Sequence, residues 1–210
     1  IRDLVRSRGL GDVYKRQSDN TDACERVFMQ WGIGHLFPAI TMAAHVTASP
    51  NHQTKRVTPL KFRFDVAMSG RLGFELQPCD MTKEEVEFSK RALAEYKRIR
   101  PVVQFGDLYR LSSPYESRVA SLMYVHEKRA VVFAWLMDKW LADSPPPLRL
   151  KGLNPAARYL VREINLDENG PLANVHERVL GGDFLMDFGI RINWKNAFQS
   201  VCMEVTETGS

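Results

Sequence analysis

Ala39 to Val46 reads AITMAAHV, a short, apolar and partly β-branched run of the kind that forms a buried strand. Before it, Asp22 is followed three residues later by Glu25, which pairs a capping side chain with a reciprocal partner at a helix start. Val27, Phe28, Trp31 and Leu36 then recur at helical spacing until Pro38. After it, the polar, proline-containing stretch Ser49–Thr58 reads as a loop, Pro59–Ser69 as a helix and Leu72–Leu76 as a short strand. Thr82 with Glu85 forms a second capping box. It opens the strongest helix of the chain, with Val86, Leu93, Tyr96, Ile99 and Val103 on one stripe. Helix, strand, helix, strand, helix is the grammar of an α/β layer with parallel strands. Two strands and three helices cannot close a barrel, so residues 18–110 read as the last part of one.

From about Leu108 the grammar changes. The runs Val119–Val125, Val131–Leu136, Leu148–Leu150, Tyr159–Ile164, Phe184–Ile190 and Gln199–Val205 are strand-like. Turn-rich stretches such as Asp143–Pro147, Asp167–Pro171 and Gly181-Gly182 separate them. This spacing predicts a small antiparallel β-sandwich over residues 111–210, with the boundary near residue 110. No internal repeat is visible.

The 210 residues (24.0 kDa, 44% hydrophobic, 26% charged) have the composition of a globular protein with room for one domain or two small ones. The longest apolar run, Ala130–Met137, is far short of the roughly 20 residues of a membrane helix. No segment reads as an export signal. Three widely spaced cysteines (Cys24, Cys79 and Cys202) fit reduced thiols, so a cytoplasmic location is expected. The net charge of +4 invites a nucleic-acid reading. Residues 1–17, however, hold Arg2, Arg6, Arg8, Lys15 and Arg16 against Asp3 and Asp12, which leaves a net of only +1 for the rest. No basic face is implied, so neither nucleic acid nor membrane is expected as a partner. Within that opening segment Asp12–Gln17, DVYKRQ, resembles a translated adaptor from sequencing libraries. Ile1–Gln17 is therefore read as a short foreign leader, with the natural protein expected to begin upstream of Ser18.

Phosphate-binding glycine loops, His-Glu-x-x-His and Cys-x-x-Cys are all absent, and His35, His45, His52, His126 and His176 lack metal-ligand spacing. No metal site and no cofactor are expected. His45 stands apart because it ends the apolar strand of an α/β layer, where substrate contacts gather. Ser18-Asp19-Asn20-Thr21-Asp22 places two carboxylates just before a helix, on a strand-to-helix loop if the preceding residues are a strand. Helix capping accounts for Asp22. Asp19 is either an Asx-turn residue or a functional carboxylate. Arg71, after Ser69-Gly70, is a further candidate. Trp31, Phe62, Phe64 and Phe74 read as core. Trp135, Trp140 and Trp194 read as packing residues of the sandwich, with a carbohydrate-binding surface as the alternative.

Ser18–Glu25 (SDNTDACE), Ile40–Thr47 (ITMAAHVT), Lys61–Leu72 (KFRFDVAMSGRL), Tyr96–Leu111 (YKRIRPVVQFGDLYRL) and Leu148–Leu153 with Arg158–Leu166 resemble, in order and spacing, the carboxy-terminal part of the bacterial α-galactosidases of glycoside hydrolase family 36. The resemblance runs from Ser18 to the end. It implies the carboxy-terminal portion of a (β/α)8 barrel followed by a small antiparallel β-sandwich. It also implies retaining hydrolysis of terminal α-galactosides such as melibiose and raffinose, by two carboxylates about 5–5.5 Å apart. The family's acid/base aspartate falls on Asp19, with Asp22 as the second candidate. Substrate-binding positions are expected at Asp22, His45 and Arg71. The family's nucleophile lies in a Lys-Trp-Asp motif that this chain lacks, since Lys139-Trp140 is followed by Leu141. The chain alone is thus expected to be inactive. A parent acting on α-N-acetylgalactosaminides, a galactosyltransferase and a non-catalytic sugar-binding module are the alternatives. Tetramers occur in the family, which makes the parent a candidate homo-oligomer.

Overall fold

The computed structural model describes residues 18–139 and 144–208. The expected leader Ile1–Gln17, as well as Trp140 and Asp143, lie outside them. Helix α1 (Ala23–Ile33) buries Ala23, Cys24, Val27 and Trp31 and is closed by Gly34, whose N–H donates to Gln30 O. Pro38 starts a single 3-10 turn over Ala39–Thr41, so strand β1 (Ala43–Val46) is shorter than the apolar run suggests. Helix α2 (Leu60–Met68) follows Pro59 and is buried from Lys61 onward, which suits an element covered on all sides. Strand β2 (Arg71–Phe74) pairs parallel with β1 in the register Ala43↔Arg71 and His45↔Gly73. Helix α3 (Lys83–Phe105) carries the full Thr82/Glu85 capping box and buries Tyr96, Ile99 and Val103.

The second half holds β3 (Asp107–Ser112), β4 (Val119–His126), β5 (Arg129–Leu136), β6 (Arg158–Ile164), β7 (Arg178–Gly181), helix α4 (Gly182–Asp187) and β8 (Ser200–Glu207). Among the described residues these six strands form one antiparallel sheet, ordered β3-β4-β5-β8-β6-β7. The sheet starts at Asp107, ahead of the boundary near residue 110. Phe184–Ile190 does not form the expected strand. Leu185 and Ile190 are fully buried while Phe184 and Phe188, four residues apart, stack on each other in solvent, a spacing that suits a helical turn. Leu148 makes only an isolated bridge to Ile190.

One face of the sheet, with Leu122, Tyr124, Phe133 and Trp135, shares a core with α1, α2 and α3. The other face, with Met123, Val132, Val161 and Met203, is covered by loops and α4 through Leu150, Leu172 and Leu185. Buried polar groups tie the halves together. Asp65 on α2 accepts from Lys61 Nζ (2.6 Å), from Asn165 Nδ2 (2.6 Å) and from Ser200 Oγ (2.7 Å). Glu204 on β8 accepts from Arg98 on α3 and, at 2.6 Å, from Arg129. Tyr124 OH donates to Ser69 O at 2.7 Å, and Tyr96 OH donates to Gly70 O at 2.9 Å.

Candidate active site

Ser18–Asp22 is held by its own side chains. Asn20 N donates to Ser18 Oγ at 3.1 Å, Asp22 N to Asn20 Oδ1 at 2.9 Å and Cys24 N to Asp22 Oδ1 at 2.8 Å. The first and last of these are the local bonds by which serine and aspartate shape turns and helix starts. Asn20 thereby takes the N–H that a reciprocal capping box would have given to Glu25. Glu25 lies instead 3.5 Å from Arg56 Nη1.

The loop after β1 braces the same segment from outside. Thr47 Oγ1 donates to Thr21 O (3.0 Å) and Asn51 Nδ2 to Thr21 Oγ1 (3.0 Å), while Thr21 N donates to Gln53 Oε1 (3.2 Å). Asp22 Oδ2 accepts from Thr54 Oγ1 and, at 2.6 Å, from Arg56 Nη1. Asp22 is 1% exposed, and both of its oxygens are occupied. Burial alone would raise its carboxyl, but the hydrogen bonds from Thr54, Arg56 and Cys24 outweigh it and hold the carboxyl below the usual carboxylate range. Burial pushes the neighbouring Cys24 thiol up to about 11, which makes it an inert packing group at neutral pH. Asp19 is the contrast. Its side chain is exposed and has no hydrogen-bond or ion partner among the described residues, in a segment whose other polar side chains are all engaged.

The parallel pair supplies the adjoining surface. Ala44, Val46, Leu72 and Phe74 point into the helices, so Ala43, His45, Arg71 and Gly73 share the opposite face. His45 Nδ1 lies 3.0 Å from Glu75 Oε1, just past the end of β2. Gly73 makes room for the imidazole, since a Cβ there would stand 2.0 Å from His45 Cδ2. Asn20, Thr21, Arg26, Ala43 and His45 line one small recess, which brings the Ser18–Asp22 segment against the His45 face. Arg26, 4% exposed, spans the two by donating to Ala43 O (2.8 Å) and to Ser18 O (3.5 Å). Arg71 lies exposed at the amino end of β2, one side-chain repeat before Gly73.

Sequence reasoning missed Arg26, Thr54, Arg56 and Glu75. A buried arginine beside Val27, on the apolar side of α1, was the one local signal. The three others come from segments with no spacing rule relating them to the motif. Chemically, the arrangement presents a carboxylate with no partner among the described residues on a braced helix-start loop, in the segment that meets the face of the His45–Glu75 pair.

A family model described as melibiase matches residues 13–106, and one described as the glycosyl hydrolase family 36 C-terminal domain matches residues 119–205. The chain is 38% identical over 183 residues to alpha-galactosidase AgaA of Geobacillus stearothermophilus, a match covering 86% of this chain and 23% of that protein. It is likewise 38% identical over 175 residues to alpha-galactosidase Mel36A of Lactobacillus acidophilus, covering 82% of this chain and 22% of that protein. Among solved structures, alpha-galactosidase AgaB of Geobacillus stearothermophilus superposes with a TM-score of 0.79 at 37% identity, over 91% of this chain and 25% of that one. A variant of AgaA in complex with raffinose superposes with a TM-score of 0.80 at 36% identity, with the same coverage. The chain therefore spans about a quarter of the length of the relatives it matches. Its α/β half and its β half are matched in succession by two models of one family, and the chain belongs to glycosyl hydrolase family 36.

Proposed function

We propose that this chain carries the acid/base half of a retaining α-galactosidase site. In this reading residues 18–110 are the last strands and helices of a (β/α)8 barrel and residues 111–210 the carboxy-terminal β domain of a cytoplasmic enzyme. Asp19 protonates the departing glycosidic oxygen and then deprotonates the attacking water, while a nucleophilic carboxylate outside this sequence bonds the anomeric carbon. His45, with Arg71 two residue pairs away on the same face, contributes to the sugar-facing wall. Asp22 acts from behind by fixing the loop. The observation that carries the reading is that Ser18, Asn20, Thr21 and Asp22 are all tied down while Asp19 alone in the segment faces solvent. A proton donor needs that combination of fixed backbone and free carboxyl.

The 210-residue chain by itself should not hydrolyse an aryl α-galactoside. A chimera in which residues 18–210 replace the matching segment of AgaA should hydrolyse raffinose. Asp19→Asn in that chimera should lower kcat/KM on raffinose by about 10²–10⁴-fold, while sparing an aryl galactoside whose leaving group needs no proton. Raffinose turnover unaffected by Asp19→Asn would overturn the assignment.

A further inference from the structure

The face of the sheet turned away from the α/β half carries a groove of about 390 Å³, walled by Leu111, Pro145–Pro147 and Trp194. This volume lies in the range of small-molecule sites. Ser121 on β4 lines it. Its side chain is fully buried, and its Oγ has no hydrogen-bond partner among the described residues. A buried hydroxyl without a partner is costly, and native proteins rarely leave one so. Trp194 is half-buried at the rim, and its indole N–H donates to no group among the described residues. Arg149 is exposed on the same groove without a partner among the described residues, and none of their carboxylates lines it. The groove therefore offers an aromatic wall, an apolar proline wall and several unanswered donors.

We propose that this groove is a saccharide-binding site, separate from the Asp19 face. A hexose has what the lining asks for. Its C–H face packs on an indole and on proline rings, and its ring of hydroxyls accepts from Ser121, the Trp194 N–H and Arg149. A purely apolar guest would leave the buried Ser121 hydroxyl unpaired. The proposal does not depend on the catalytic reading, because the groove lies on the other side of the sheet.

The test is saturation-transfer NMR of raffinose against the full 210-residue chain at micromolar protein. The expected result is a saturable signal, weakened at least tenfold in Trp194→Ala and in Ser121→Val and unchanged in Asp19→Asn. Trp194 is partly exposed, so Trp194→Ala should keep the wild-type melting curve. If it does not, Arg149→Ala, on an exposed side chain, gives the same readout. Absence of any saturable signal would overturn the proposal. So would a signal that survives these groove variants or is lost in Asp19→Asn, which would place the sugar on the catalytic face.

Discussion

Asp22 and Asp19 are three residues apart and have opposite surroundings. The buried Asp22 carboxylate answers a backbone N–H, a hydroxyl and a guanidinium, and replacing it removes the acceptor for all three. Asp22→Asn keeps a capping oxygen but turns an amide toward Arg56. It should cost about 2 kcal/mol at pH 7, measured by urea unfolding. The folded-state pKa of Asp22 is depressed, so its contribution is present above the unfolded value near 3.9 and is lost as pH falls through the folded value. The stability gap between wild type and Asp22→Asn should thus begin to narrow below about pH 4 and go on narrowing as the pH falls further. A gap that does not narrow on acidification would mean that geometry, not charge, carries the effect.

At the scale of elements, the link between α2 and the sheet is the most demanding feature. Asp65 is fully buried and serves Lys61, Asn165 and Ser200 at once. Burial alone would lower the Lys61 pKa, but the attraction of Asp65 outweighs it and keeps the ammonium charged. Asp65→Ala would leave that charge buried without its partner, at about 3–5 kcal/mol. The double variant Lys61→Met/Asp65→Leu should recover most of the loss in denaturant melts. A double variant as unstable as the single one would show that Asn165 and Ser200, rather than the charge pair, dominate.

Elements differed in how far the sequence announced them. The Thr82/Glu85 box was legible because both halves of it are local. The Asp22/Glu25 box was half legible, because Asn20, one turn of chain earlier, competes for the same N–H. Strand β7 was missed because it is a four-residue edge strand with two exposed side chains and no alternation to read. Helix α4 was mistaken for a strand because its apolar density resembles one, and only the outward pairing of Phe184 with Phe188 separates the two readings. The motif that carries the site was readable, whereas its bracing from Thr54, Arg56 and Glu75 depends on the fold.

For the molecule as a whole, the parallel pair β1–β2 is the least satisfied part. Two parallel strands are covered by helices on one face, and among the described residues no third strand completes either edge. Parallel sheets are normally buried on both faces, and open edges recruit other strands. The isolated chain should therefore associate as its concentration rises, in sedimentation velocity over a range of loadings. A single monomeric species throughout would show that the loops around His45 protect these edges.

The sheet order has a consequence for how such a chain is made. The centre of the six strands is occupied by β8, residues 200–207, with β5 on one side and β6 on the other. Synthesis delivers it after every other strand of the sheet. Until it emerges from the ribosome, β3–β5 and β6–β7 are two separate ribbons, and the shared core with α2 lacks Cys202 and the hydroxyl of Ser200. A premature stop before residue 200 would thus leave two unjoined ribbons instead of a trimmed sheet. The nascent chain must shelter the apolar faces of both until β8 arrives.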